Sequence, residues 1–309
     1  MSVTQLPETM DAIVFKQPYK VAVEQIPTPK LQSEGDVIIK VHFAGLCGKC
    51  YYCSTFHTSR CTSSALFGTP SLPGCQATYV RVPLAASCLL LKPPQLPEEL
   101  MLLMADILPT GYSAAWNAWR LLDWGEERGG KGERKGICVV VGCGPVGLCA
   151  ITSAQALFSK VFAVDPVPAR RELAVKHGAT ALAPGELNPA IMAVTEGRGA
   201  DAVLEVVGNQ GALDTALSIV RPYGAVSSVG VHSGELKIDG GLLYDKNVRL
   251  QFGRCSVRHF YPAALEVLVS NQDLFMSFIE HKVNFSQAEE YYTLFEQGKV
   301  SKTVFIPGQ

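Results

Sequence analysis

Residues 137–147 read I-C-V-V-V-G-C-G-P-V-G. The first five form a continuous apolar run, the pattern of a strand buried on both faces. The rest fit G-x-G-x-x-G, with Gly142, Gly144 and Gly147 at the fixed positions. Pro145 and Val146 open the apolar helical segment that follows, to about Leu157. Strand, glycine loop and helix in that order predict a dinucleotide-binding turn. Gly142 permits the tight turn, Gly144 lets a pyrophosphate reach the backbone, and Gly147 lets the helix pack closely on the sheet. The helix N-terminus then offers N–H groups and partial positive charge to phosphate. Asp165 lies 18 residues after Gly147, at the end of the next apolar run, Val161–Val164. A carboxylate there accepts from the adenosine ribose hydroxyls and repels a 2′-phosphate, so the pattern selects NAD over NADP. Arg170 and Arg171 follow, placed to flank the adenine or engage a phosphate. The plainer alternatives are a structural glycine turn without cofactor and an Asp165 that merely caps the next helix.

Outward from this loop, apolar runs alternate with helical periods. Strands are expected at Asp201–Val207, Ala225–Val229 and Val248–Phe252, and helices at Ala169–His177 and Ala212–Val220. Such alternation means a parallel sheet covered on both faces, an α/β Rossmann fold with a doubly wound sheet. Upstream, Pro97–Met104 and Gly111–Leu122 read as helices, and Gly125–Gly136 as an exposed loop. Residues 11–90 alternate over short runs punctuated by prolines, including Asp36–Val41 and Ala77–Val82, which suggests a small β-rich domain. The tail from Pro262 reads as two amphipathic helices and a closing strand, Thr303–Ile306.

The chain has 309 residues, 48% hydrophobic and 18% charged, with a formal net charge of -1. That composition suits a globular protein of two domains or one large one. It argues against a nucleic-acid partner, and the longer apolar run Leu100–Leu108 is too short and too polar to span a membrane. No secretory signal is evident at the N-terminus, so a cytoplasmic, reducing setting is the expectation.

Ten cysteines are many for such a chain. Cys47, Cys50, Cys53 and Cys61 give C-x2-C-x2-C-x7-C, a strong pattern for a closed tetrahedral structural Zn²⁺ site. Cys75, Cys88, Cys138, Cys143, Cys149 and Cys255 lack ligand spacing and read as small buried residues.

Several stretches carry a family resemblance: V-H-F-A-G-L-C-G (41–48), the four-cysteine lobe, Y-V-R-V-P-L-A (79–85), M-A-D-I-L-P-T-G-Y (104–112), V-V-G-C-G-P-V-G-L-C-A (140–150), G-R-G-A-D-A-V-L-E-V-V-G (197–208), S-S-V-G-V-H (227–232), Y-D-K-N (244–247) and F-G-R-C (252–255). In these the chain resembles the zinc-type medium-chain dehydrogenase/reductases of the alcohol dehydrogenase superfamily. The branch it resembles most contains glutathione-independent formaldehyde dehydrogenase-like and fungal alcohol dehydrogenase-like proteins. The resemblance implies a GroES-like β-rich domain, 1–109 with 262–309, bearing the zinc lobe at 47–61, and an NAD-binding Rossmann domain, 110–261. It implies that Val207-Gly208, Val229-Gly230 and Arg254 lie along the nicotinamide half of the cofactor. Thr110 would sit near the nicotinamide and Asp106 at a catalytic-zinc ligand position. The implied activity is NAD(H)-dependent oxidation or reduction of a small alcohol, aldehyde or related carbonyl substrate. By analogy a homodimer would pair along Val248–Phe252.

One departure is large. In relatives, tens of residues carrying a Gly-His-Glu motif separate the catalytic cysteine segment from the zinc lobe. Here Gly45-Leu46-Cys47-Gly48 runs straight into Lys49-Cys50, and neither that histidine nor the hydroxyl residue after Cys-Gly is present. Cys47 has two possible origins, catalytic segment or lobe, and its spacing to Cys50 points to the lobe. His42 and His57 match no family ligand. The GroES-like domain is therefore expected to be truncated and the catalytic zinc site incomplete. The alternative is a nucleotide-binding family member without catalysis. Tyr112, Trp116 and Phe260 are pocket candidates, though such residues are more often core than contact.

Overall fold

The computed structural model describes residues 6–18, 20–32, 37–39, 46–122, 135–300 and 302–307. The expected loop at Gly125–Gly136 and His42 fall largely or wholly outside them. In chain order the elements are β1 (Thr9–Gln17), β2 (Lys20–Pro27), β3 (Val37–Ile39), α1 (Tyr51–Ser54), β4 (Val80–Val82), α2 (Ala85–Cys88), α3 (Glu98–Met104) and α4 (Ile107–Leu121). There follow β5 (Ile137–Val141), α5 (Pro145–Ala154), β6 (Lys160–Val164), α6 (Pro168–Lys176), β7 (Thr180–Leu182), α7 (Pro184–Val194), β8 (Ala200–Glu205), α8 (Gln210–Ile219) and β9 (Val220–Ser228). The chain closes with α9 (Gly240–Lys246), β10 (Arg249–Phe252), α10 (Val257–Ser270), α11 (Gln272–Met276), β11 (Ile279–Asn284), α12 (Ala288–Glu296) and β12 (Lys302–Ile306). The chain divides into two compact units, Met1–Ala105 with Phe275–Gln309, and Asp106–Leu274. Among the described residues no helix is long and apolar enough to cross a membrane.

The central unit is a six-stranded parallel sheet of order β10-β9-β8-β5-β6-β7. The order reverses between β5 and β8, the switch point at which doubly wound sheets bind ligands. Val139, Val141, Phe162, Val203 and Val226 on the strands pack with Ile191, Leu213 and Leu217 from the helices. Buried on both faces, these strands carry the unbroken apolar runs that the sequence displays. On α4, Leu108, Gly111, Ala115 and Ala118 recur at helical spacing and are buried. A Cβ on Gly111 would lie 2.6 Å from the backbone N of Ala150 and 2.7 Å from Cys149 Cβ, so α4 meets α5 closely at a position that admits no side chain on α4. Asp201, 2% exposed, ties the strand starts together: it accepts from the Ile137 amide at 2.8 Å and from Arg221 Nε at 2.6 Å.

The other unit holds, among its described residues, three two-stranded sheets: antiparallel β1-β2 and β3-β4, and parallel β11-β12. Ile13 N–H donates to the Gln76 carbonyl at 2.8 Å and Thr78 N–H to that of Asp11 at 3.0 Å, linking β1 to the segment before β4. Val80, Val82, Ala85 and Cys88 form a small core. The tail departs from expectation, because β11 lies at 279–284 where only helices and a closing strand are expected. Its charged residues, Glu280, His281 and Lys282, mask the strand pattern.

Candidate functional site

The glycine loop sits where the sequence puts it, between β5 and α5, at the C-terminal edge of the sheet. Gly142 has φ +102°, a conformation reserved for glycine, and its amide donates to the Val164 carbonyl at 2.9 Å. A Cβ on Gly147 would lie 2.0 Å from the Gly142 carbonyl oxygen, so the helix start is seated directly on the loop. A Cβ on Gly144 would meet nothing within 4 Å. That open ground over a helix N-terminus is a cradle of the kind a pyrophosphate fills. Pro145, at the first helical turn, lacks an amide hydrogen that the turn would leave unpaired.

Asp165 is 3% exposed. Its Oδ2 accepts from the Cys143 amide at 2.9 Å and its Oδ1 from the Val167 amide at 2.8 Å. The carboxylate thus holds the glycine loop as well as its own turn. The Arg170 guanidinium lies 3.8 Å from Oδ2, and Arg171 donates to the Asp165 and Pro166 carbonyls at 2.8 and 2.9 Å. Burial first, and then the Asp165 charge, push the Cys143 thiol up to about 12, so it stays protonated.

Across the switch point, Val207-Gly208 follows β8 and Val229-Gly230 follows β9. These turns touch backbone to backbone: a Cβ on Gly230 would lie 2.2 Å from the Gly208 nitrogen, and one on Gly208 2.5 Å from the Val231 nitrogen. Val207 reaches Gly142 too, since a Cβ there would lie 2.6 Å from Val207 Cγ2. The Val229 amide donates to the Glu205 carbonyl at 3.0 Å and the Gly253 amide to that of Ser228 at 3.1 Å. Arg254 comes next, exposed, on the turn after β10. The predicted cofactor residues therefore line one sheet edge in strand order.

Glu205 was not singled out by the sequence reading. It is fully buried, and its Oε1 accepts from the Val207 and Gly208 amides at 2.8 and 2.6 Å. Oε2 accepts from Ser228 Oγ at 2.6 Å and lies 3.2 Å from His232 Nε2. The available signal was an acid at the end of a wholly buried strand, A-D-A-V-L-E. A carboxylate survives such burial only when donors surround it.

Asp106 is the exposed N-cap residue of α4 and accepts from Thr110 Oγ1 at 2.8 Å. Cys255 adjoins this pair: burial raises its thiol to about 11, hydrogen bonds with Ser113 and Thr110 oppose the rise, and the Asp106 charge adds to it. Tyr112 and Phe260 pack ring against ring at 6.1 Å.

Cys47, Cys50, Cys53 and Cys61 place their four sulfurs within 4.8 Å of one another. The Cys47 amide donates to Cys61 Sγ and the Cys50 amide to Cys47 Sγ, both at 3.3 Å. Amide donation, chiefly from Thr62, lowers the Cys50 thiol to about 6. Burial, with the adjoining Cys61, raises Cys53 to about 12. Gly48 has φ +71°, and Ser87 Oγ holds the Leu46 carbonyl, which fixes the entry to the loop. Four thiols gathered at this separation fit one tetrahedral Zn²⁺. No other group of three or more His, Cys, Asp or Glu donors converges among the described residues, so Asp106 stands outside any such set. His57 Nδ1 lies 3.1 Å from Thr55 Oγ1, within the lobe.

The sequence profile of the zinc-binding dehydrogenases matches residues 145–270. Zinc-type alcohol dehydrogenase B of Aspergillus flavus is 38% identical over 358 aligned positions, which take in 97% of this chain and 82% of that protein. The medium chain reductase/dehydrogenase ucsI of an Acremonium species is 38% identical, covering 73% of this chain and 95% of that protein. Among solved structures, the alcohol dehydrogenase TADH from Thermus sp. ATN1 superposes with a TM-score of 0.86 at 27% identity, over 97% of this chain and 100% of that one.

Proposed function

The chain belongs to the zinc-type alcohol dehydrogenase family of medium-chain dehydrogenases/reductases, and from that premise we propose that it is an NAD(H)-dependent oxidoreductase of a small alcohol, aldehyde or related carbonyl compound. The observation that carries this reading is the cradle of Gly142, Gly144 and Gly147 with Asp165 buried beside it. Gly142 through Gly147 would hold the pyrophosphate, Asp165 the adenosine ribose, and Val207-Gly208, Val229-Gly230 and Arg254 the nicotinamide half. NAD(H), when bound, accepts or gives the hydride. Thr110 donates its hydroxyl hydrogen to Asp106, which fixes the carboxylate at the start of α4 for contact with substrate. The four cysteines would hold a structural zinc that shapes their loop.

Among the described residues no set of donors completes a catalytic zinc site around Asp106. Alignments longer than this chain support the loss of a segment: 358 positions against 309 residues leave several tens with no counterpart here. The same observation favours a second reading, a cofactor-binding member without turnover. A reducing, cytoplasmic setting accords with a chain rich in cysteines, four of them gathered in one cluster. β10, at the sheet edge, is the strand along which a second copy would pair.

Zinc analysis, NADH titration by fluorescence and a panel of alcohols and aldehydes test the proposal on one preparation. About one zinc per chain, NADH binding and turnover that Asp106→Asn reduces are expected. Absence of NADH binding refutes both readings. Binding without turnover of any panel member selects the second.

A further inference from the structure

The cofactor reading uses the C-terminal edge of the six-stranded sheet and leaves its N-terminal edge without a role. From β10 across to β6, each strand is entered through a cation. Arg249 opens β10, Arg221 is second in β9, Arg198 and Lys135 stand two residues before β8 and β5, and Lys160 opens β6. Neighbouring strands lie about 4.8 Å apart, so the row runs for about 20 Å. Lys176, the last residue of α6, extends it toward β7, and Lys246 ends α9 just before β10. Against these cations, the described residues of the segments leading into the strands carry two acids, Glu196 and Asp201. In a chain of net charge -1 this concentrates one sign on one edge.

Part of the row acts within the fold. Lys246 Nζ donates to the carbonyls of Leu217 and Ser218 at 2.8 Å and of Val220 at 2.9 Å. Arg221 Nε donates to Asp201 and Arg249 to the Tyr223 carbonyl, both at 2.6 Å. Lys160, Lys176 and Arg198 are exposed. Lys160 Nζ lies 4.8 Å from the Phe162 ring centroid, and Arg198 shares Asp201, 3.8 Å away, with Arg221. The helices end at this edge, and each end carries about half a negative charge. A full cation at each helix end therefore leaves the edge positive.

Such a surface attracts anions and steers their approach. A nucleic-acid strand binds by stacking successive bases on aromatic rings as well as by charge. Here Phe158 and Phe162 are buried, and exposed Tyr223 has the Arg249 guanidinium 5.9 Å from its ring centroid. An acidic peptide needs charge alone. We propose that the N-terminal edge of the sheet docks an acidic segment of a partner protein, through Lys160, Lys176 and Arg198. The proposal does not rest on the NAD(H) reading, whose site lies at the other edge.

Fluorescence anisotropy with a labelled deca-glutamate peptide at low ionic strength tests it. The wild type is expected to bind the peptide. Lys160→Gln, Lys176→Gln and Arg198→Gln combined should weaken binding about tenfold or more, at about two- to fivefold for each surface ion pair. Lys20→Gln, Lys30→Gln and Lys299→Gln combined remove the same charge from exposed positions of the other unit, and should weaken it less than about threefold. No binding to the wild type, or equal weakening by the two triple variants, overturns the proposal. Tighter binding of a single-stranded oligonucleotide of equal charge overturns it in favour of a nucleic acid. Should the first triple variant not fold, carbodiimide coupling of the peptide carboxylates to wild-type lysines decides. Crosslinks at Lys160 and Lys176 uphold the docking edge, and crosslinks confined to other lysines refute it.

Discussion

Two alanine substitutions three residues apart separate folding from cofactor binding. At Gly147 the new Cβ would lie 2.0 Å from the Gly142 carbonyl oxygen and 2.9 Å from its carbon. A carbon–oxygen contact needs about 3.2 Å, so the helix start must retreat from the loop by about 1 Å. Both partners are backbone, so no rotamer change absorbs the clash. Overpacking of this kind costs about 1–3 kcal/mol. In a unit of this size that lowers the melting temperature by roughly 2–12 °C. The retreat also misaims the amides of the α5 N-terminus, and NADH affinity should fall at least tenfold. At Gly144 the Cβ meets nothing within 4 Å, and the backbone there, φ -71° and ψ -176°, accepts any residue. The N-cap preference against alanine and the smaller entropy of the unfolded chain oppose each other, leaving stability within about 1 kcal/mol. Yet the methyl stands where the pyrophosphate would lie. Gly144→Ala should melt like the wild type and bind NADH at least tenfold more weakly. Calorimetry and fluorescence titration of the two variants give four numbers. Wild-type NADH affinity in Gly144→Ala would refute the placement of the phosphates, and an unchanged melting temperature in Gly147→Ala would refute the seating of α5.

Asp165→Ser removes the ribose-side carboxylate and leaves Arg170 in place. The NADH-to-NADPH affinity ratio should fall at least tenfold, and an unchanged ratio would show that Asp165 only braces the Cys143 and Val167 amides. Cys50→Ser, or prolonged chelation, should take bound zinc from about one per chain to near zero, measured by metal analysis; full occupancy in the variant would remove Cys50 from the ligand set. His177 gives stability a pH dependence of predictable sign. Burial lowers its imidazole from 6.5 to about 4. The unfolded chain takes up the proton first, so the contribution is whole above about pH 6.5 and is lost as pH falls toward 4. The loss should reach about 2 kcal/mol by pH 5 in denaturant titrations. His177→Asn should flatten that slope, and an equal slope in the variant would assign it to other groups.

The sequence makes the central unit legible because strands buried on both faces must be apolar throughout, and glycines at a backbone contact cannot be replaced. Short or charged elements hide: three-residue β7 shows no period, and β11 carries Glu280, His281 and Lys282 in succession. The cysteine cluster is equally plain, since its four thiols lie within fifteen residues and need no long-range closure. Glu205 was invisible for the opposite reason. Its partners Ser228 and His232 lie more than twenty residues away, and one acid after five buried residues says nothing of four donors. Asp106 and Thr110 meet through ordinary i,i+4 helix geometry, but nothing local in sequence reveals what they face.

The crossing at Gly111 ties these parts mechanically. It lies one residue beyond Thr110, and on the other helix it bears on Cys149 and Ala150, close behind the glycine loop. With no side chain at Gly111, the α4 backbone bears directly on Cys149 and Ala150, and sliding of one helix past the other would collide there. The carboxylate at one helix start and the phosphate cradle at the other are thus held to a common gauge. Residues around that crossing can be exchanged while the two helix starts keep one separation.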